Sequence, residues 1–189
     1  NANTAMLRLL RAVNGSMMLH TWQGGVRDNV IPTECTAEIV VPDSEAEQFA
    51  ETIRTELAQI KLEYPNESGI ALELITAPHC EPMALPCEAT DMLLQWLSKL
   101  PNGVQQMNSV LNMPETSLNL GIFTLEEYGT KMHVDALIRS GIDREKEALA
   151  EKLCSYAEAI GGTAARSGNY PAWEYVPNTK LEKTAVAVF

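Results

Sequence analysis

Few residues in this chain are of types, and at spacings, that do chemistry. Residues 24–32 read Gly24-Gly25-Val26-Arg27-Asp28-Asn29-Val30-Ile31-Pro32, a loop with two glycines, a basic residue, an amide and a proline. An Asn side chain in such a loop presents both a donor and an acceptor to a ligand carbonyl; the plainer reading is a hairpin connection. Arg139 closes a segment that alternates polar and apolar residues. A guanidinium there can grip a carboxylate through two parallel hydrogen bonds; the plainer reading is a solvated arginine. His79-Cys80 with Cys87 comes nearest to a metal pattern. Structural zinc sites need four ligands at tight spacing, so one pair and a lone cysteine among prolines read as an ordinary loop. His20, His79 and His133 are scattered. There is no GxSxG elbow, P-loop, HExxH or GxGxxG.

The elements that must position these residues follow from periodicity. Met6, Leu9, Leu10 and Val13 recur at helical spacing. Residues 17–23 read as a strand ended by Gly24-Gly25, and residues 35–41 alternate as a second strand ended by Pro42. Ser44 and Glu47 have the capping-box spacing, and Phe49, Ile53, Leu57 and Ile60 form the stripe of the helix that follows. Residues 70–75 are strand-like, 78–86 a proline-rich loop and 90–100 helical. Residues 117–124 and 131–140 read as strands joined by a turn near Glu127-Tyr128-Gly129. A helix over 143–160, stopped by Gly161-Gly162, precedes a further strand over 163–168. In the strand carrying Arg139, Met132, Val134, Ala136 and Ile138 are expected to meet the helices. His133, Asp135, Leu137 and Arg139 then lie on an open, largely polar face.

The order strand, strand, helix occurs twice. Asp43, Glu45, Glu47, Ala50, Glu51 and Ile60 recur 100 residues later as Asp143, Glu145, Glu147, Ala150, Glu151 and Ile160. That offset is too long for a solenoid repeat and suits two related halves of one sheet. The expected fold is therefore α+β: an antiparallel sheet with helices on one face, built as two pseudo-repeated halves at about 17–64 and 117–160.

Composition bounds the class. The 189 residues carry 14 Lys+Arg against 25 Asp+Glu, a net charge of −11, and 46% are hydrophobic. The apolar fraction suits a globular core. The acidic balance argues against nucleic-acid or anionic-membrane partners, which need a basic footprint. No apolar run approaches the roughly 18 to 20 residues of a membrane helix. Cys35, Cys80, Cys87 and Cys154 form no CxxC pair, which is read as reduced thiols in the cytoplasm. The chain opens on Asn1-Ala2-Asn3-Thr4 without an initiator Met, and is expected to be a piece of a longer protein.

Gly24-Gly25 followed by Asn29-Val30-Ile31-Pro32 and a strand resembles the lid domain of zinc-dependent amino-acid and dipeptide hydrolases. That superfamily includes carboxypeptidase G, the carnosinases and bacterial dipeptidases; within it the resemblance is to aminoacyl-histidine (Xaa-His) dipeptidases. Five further segments carry it in order. They are Asn1-Ala2-Asn3; Pro101-Asn102-Gly103-Val104; Glu115-Thr116-Ser117-Leu118-Asn119-Leu120-Gly121; Leu137-Ile138-Arg139-Ser140; and Tyr170-Pro171-Ala172-Trp173.

The resemblance implies a lid over residues 1–177 that closes on a dipeptide substrate held by the protein's own catalytic domain. It implies two zinc ions bound by that other domain, and a return into it over residues 178–189. By resemblance, Asn29 contacts the substrate near the scissile carbonyl and Arg139 binds its C-terminal carboxylate. The fragment alone is then not catalytic. The sequence departs from the family in two places. The lid histidine that helps stabilise the tetrahedral intermediate is absent, leaving His79 as a candidate substitute. Val41-Pro42 stands where single-copy lids carry the carboxylate-binding Arg. One duplicated lid then does the work of two lids in dimeric relatives, and whether this protein forms a homodimer is left open. The competing reading is a dimerisation or regulatory module without substrate contact.

Overall fold

The computed structural model describes residues 1–13, 16–77, 83–126 and 131–188. Among these described residues, five helices and five strands make an α+β fold, as expected. The helices are α1 (Ala2–Ala12), α2 (Ala46–Glu63), α3 (Cys87–Leu97), α4 (Asp143–Glu158) and α5 (Lys180–Val188). The strands are β1 (Met18–Gly24), β2 (Cys35–Val40), β3 (Gly103–Asn108), β4 (Met113–Leu125) and β5 (Met132–Ser140). They form one sheet, ordered β2-β1-β4-β3, with β5 also pairing with β4. The β1–β2, β1–β4 and β3–β4 ladders are antiparallel. The strand–strand–helix order appears as β1-β2-α2 and as β4-β5-α4.

The chain divides into two units, Asn1–Leu100 with Asn119–Leu137, and Pro101–Leu118 with Ile138–Phe189. The first unit holds most of the apolar core. Leu7, Leu9 and Leu10 of α1, Phe49, Ile53 and Ile60 of α2, and Leu94 and Leu97 of α3 are buried with Leu19 and Trp22 of β1 and Leu120, Phe123 and Leu125 of β4. Each such side chain contributes about 1.5–3 kcal/mol by leaving water. Trp22 and Phe123 pack tilted, with ring centroids 5.9 Å apart. Arg8 of α1 meets Glu56 and Glu63 of α2 at 2.5 Å each; these groups keep solvent contact, so water screens the pairs and they contribute little. The second unit buries Leu118, Leu149, Thr116 and Lys146.

Several expectations are corrected. The Ser44–Glu47 box does not form: Glu45 is the N-cap of α2 and no side chain caps it, while its Oε2 accepts from Ser16 N at 3.0 Å. Residues 70–75 and 163–168 are not strands. Their side chains are mostly exposed, so no burial holds an extended chain in register there. Conversely β3 alternates nothing. Five of its six residues are exposed, so no buried face shows as a period of two. In β5 His133 and Arg139 are exposed as expected, but none of its residues is buried, so its apolar side is only half covered.

Candidate functional site

Residues 25–34 link β1 to β2 in the first unit. Gly25 has φ +80°, and a Cβ there would lie 1.8 Å from the Gly121 carbonyl oxygen. Gly121 has as little room: its Cβ would come within 2.5 Å of Asp28 Cα and 2.8 Å of Arg27 O. The two glycines let the loop lie directly on β4, an approach that any side chain would block. Val30 N donates to Arg27 O at 3.4 Å, closing a turn whose interior residues are Asp28 and Asn29. Asn119 of β4 then straddles Asn29, its Nδ2 donating to Asp28 O at 2.6 Å and to Val30 O at 2.9 Å. Pro32 is buried and its carbonyl accepts from Ala2 N at 2.8 Å. The backbone around Asn29 is thus held on both sides. Its own side chain is exposed and has no hydrogen bond among the described residues. A fixed backbone with a free amide can polarise or orient a carbonyl with little ordering cost.

Two more asparagines support this mount. Asn1 caps α1, its Oδ1 accepting from Thr4 N at 3.3 Å while its Nδ2 donates to Leu120 O at 3.0 Å. Asn3 is fully buried; its Nδ2 donates to Gly24 O at 3.2 Å and its Oδ1 accepts from Trp22 Nε1 at 3.1 Å. Every polar atom of that side chain has work inside the fold, which is what keeps a buried amide from being a penalty. Sequence reasoning missed the roles of Asn3 and Asn119. Both stood in family-like segments, but an amide that clamps carbonyls some ninety positions away leaves no local pattern.

Arg139 lies in the second unit, next to last in β5. It is exposed and has no ion pair among the described residues. The strand end beside it is fixed. Ser140 Oγ shares a hydrogen bond with Thr116 Oγ1 at 2.9 Å and accepts from Ile142 N at 3.0 Å. Gly141 N donates to Glu115 O at 3.0 Å, and a Cβ on Gly141 would meet Glu115 Oε1 at 2.1 Å. Asn108 Nδ2 donates in turn to Glu115 Oε2. In the same unit Asp143 Oδ1 accepts from Lys146 Nζ at 2.8 Å and from Ala172 N at 2.9 Å, and Lys146 Nζ also reaches Tyr170 O. The Lys146 ammonium, and after it the Ala172 N–H, hold the Asp143 carboxyl below the usual carboxylate range. This lock seats the Tyr170–Trp173 segment and leaves the Trp173 ring exposed.

Asn29 belongs to the first unit and Arg139 to the second; His79 lies outside the described residues. Among the described residues no three His, Cys, Asp or Glu side chains gather in a way that could hold a metal ion. His20 Nδ1 is engaged with Met83 O at 2.8 Å, and His133 Nε2 with Asp135 at 3.0 Å. The zinc that the resemblance implies therefore has no fitting donor set among these residues. Cys35, Cys87 and Cys154 are free thiols, and Cys80 lies outside the described residues. No helix among the described residues is long and apolar enough to cross a membrane.

No family model matches the chain. Cytosol non-specific dipeptidase of Escherichia coli (strain K12) is 30% identical over 185 residues, covering 96% of this chain and 38% of the relative. The crystal structure of aminoacylhistidine dipeptidase from Vibrio alginolyticus superposes with a TM-score of 0.83 at 27% identity, covering 94% of this chain and 37% of that one. The chain is similar to these dipeptidases over nearly its whole length.

It spans a little over a third of the length of the relatives it matches. The dipeptidase resemblance read from short segments is thus borne out over nearly the whole chain. Four of those segments now have a physical role. Asn1-Ala2-Asn3 caps α1 and ties it to β1 and β4. The Glu115–Gly121 segment clamps the Asn29 loop and anchors Gly141. Residues 137–140 end β5 on Thr116, and Tyr170–Trp173 is pinned by Asp143 and Lys146.

Proposed function

We propose that this chain is the lid and substrate-binding domain of a cytoplasmic, zinc-dependent dipeptidase that hydrolyses carnosine-like Xaa-His dipeptides. The observation that carries the reading is the Asn29 loop, whose backbone is clamped on both sides while its amide stays unpaired. An amide held this way suits the carbonyl of the scissile bond. Arg139, unpaired beside a fixed strand end, suits the C-terminal carboxylate of the same dipeptide. Requiring that carboxylate would measure substrate length. The zinc ions belong to the catalytic domain, where they would polarise the carbonyl and activate water. Residues 178–189 lead back towards that domain, in keeping with α5, which buries none of its residues here. The 189 residues alone are then inactive.

The test uses the full-length protein. Arg139→Ala should raise KM for a Xaa-His dipeptide about tenfold to a hundredfold, the range for losing a charge-assisted pair, with zinc content unchanged. An unchanged KM removes Arg139 from the site.

A second reading is favoured by one observation. Among the described residues β3 is an edge strand, and Val104, Met107 and Met113 of the β3–β4 hairpin are exposed with Val110 and Leu111 at its turn. An apolar edge of this kind invites pairing with a second copy. Sedimentation of the full-length protein decides it: a dimer lost in Met107→Lys, with KM intact, supports a homodimerisation role for this hairpin.

A further inference from the structure

We propose that Asn119 is the positioning residue for the substrate contact at Asn29. The inference rests on the reading of Asn29 given above and goes one residue deeper. The loop from Gly25 to Glu34 is ten residues long and exposed at its tip from Val26 to Ile31. A loop of that length would ordinarily be free to move. Here both protons of one amide reach across to it. Asn119 Nδ2 donates to the carbonyl before Asn29 and to the carbonyl of the residue after it, at 2.6 and 2.9 Å. Two bonds flanking one residue restrain the peptide planes on either side, and with them the direction in which the Asn29 Cα–Cβ bond points. The close seat of Asp28 on Gly121, two residues along the same strand, supplies the second contact. Asn119 itself donates into the loop backbone, so it acts on substrate only through Asn29.

The scale of such an effect is set by geometry. A displacement of about 1 Å at a reacting group can cost on the order of a hundredfold in rate. Loss of a whole carbonyl-polarising donor costs about a hundredfold to a thousandfold. Removing Asn119 should therefore slow turnover by about tenfold to a hundredfold, less than removing Asn29.

The experiment is a double-mutant cycle in the full-length zinc enzyme, with β-alanyl-histidine as substrate, reading kcat, KM and zinc content. Asn119→Leu keeps the branched shape and deletes both donors. The expected result is a lower kcat in Asn29→Ala and in Asn119→Leu, with the double variant no slower than Asn29→Ala alone. Arg139→Ala, combined with Asn119→Leu, should instead add its own loss in full. Losses at 29 and 119 that multiply would overturn the inference, because Asn119 would then act independently of Asn29. A normal kcat in Asn119→Leu beside a slow Asn29→Ala would overturn it too, while leaving the reading of Asn29 in place. A normal kcat in Asn29→Ala would remove that reading, and this inference with it. If Asn119→Leu does not fold, Asn119→Ser keeps one shorter donor and enters the same cycle.

Discussion

Asn3 and Trp22 complete each other in the core: both are 0% exposed, and Trp22 Nε1 donates to Asn3 Oδ1 at 3.1 Å. The other end of the Asn3 amide donates to Gly24 O, so one buried side chain joins α1 to the end of β1 where the Asn29 loop begins. Asn3→Leu would remove the acceptor of the indole N–H and a donor to the Gly24 carbonyl, two buried hydrogen bonds. Each lost hydrogen bond contributes about 0.5–1.5 kcal/mol net, so the variant should lose roughly 1–3 kcal/mol. The denaturation midpoint followed by tryptophan fluorescence measures this; a midpoint equal to that of the unmodified protein contradicts it.

Gly121→Ala tests the seat of the loop rather than its clamp. The new methyl would meet the backbone of Asp28 and Arg27 at 2.5 to 2.8 Å, and backbone does not yield as a flexible side chain does. The loop should lift from β4. In the full-length protein, kcat for a Xaa-His dipeptide should fall about tenfold or more, with α-helical circular dichroism retained. A normal kcat would show that Asn29 does not depend on this contact.

Cys35 makes a pH prediction. Burial pushes its thiol up to about 12, with a hydrogen bond from Trp22 pulling weakly the other way. The native state therefore keeps a proton that the unfolded chain releases near its ordinary pKa of about 8.5. The native state binds more protons in that window, so stability falls with rising pH. This contribution is whole below about pH 8.5 and is lost as pH climbs towards 12. Cys35→Ser should flatten that alkaline decline. At about pH 8 the native Cys35 should also resist thiol reagents that label it readily in denaturant. Rapid native labelling, mapped by mass spectrometry, would count against the assignment.

The parts legible in the sequence were those with one face wholly or partly shielded from water. The stripe Phe49, Ile53 and Ile60 announced α2, and the alternation after Pro32 announced β2, because burial imprints a period. Where both faces meet water the imprint vanishes, as in β3. Where alternation exists without burial, as in residues 70–75, the pattern misleads. Capping chemistry also misled. Ser44 and Glu47 have the right spacing, but the helix starts a residue later than that box requires, with Glu45 already bound to Ser16. Asn29 and Arg139 were legible as candidates because amide and guanidinium chemistry belongs to the residue itself. Asn119 was not, since its role exists only once Asp28 and Val30 are folded against it.

The central claim is that this chain grips the substrate of a dipeptidase through Asn29. Steady-state kinetics of Asn29→Ala in the full-length protein tests it most directly. The account predicts a kcat for β-alanyl-histidine lowered about a hundredfold, with zinc content and thermal midpoint unchanged. A kcat equal to that of the unmodified enzyme would contradict it.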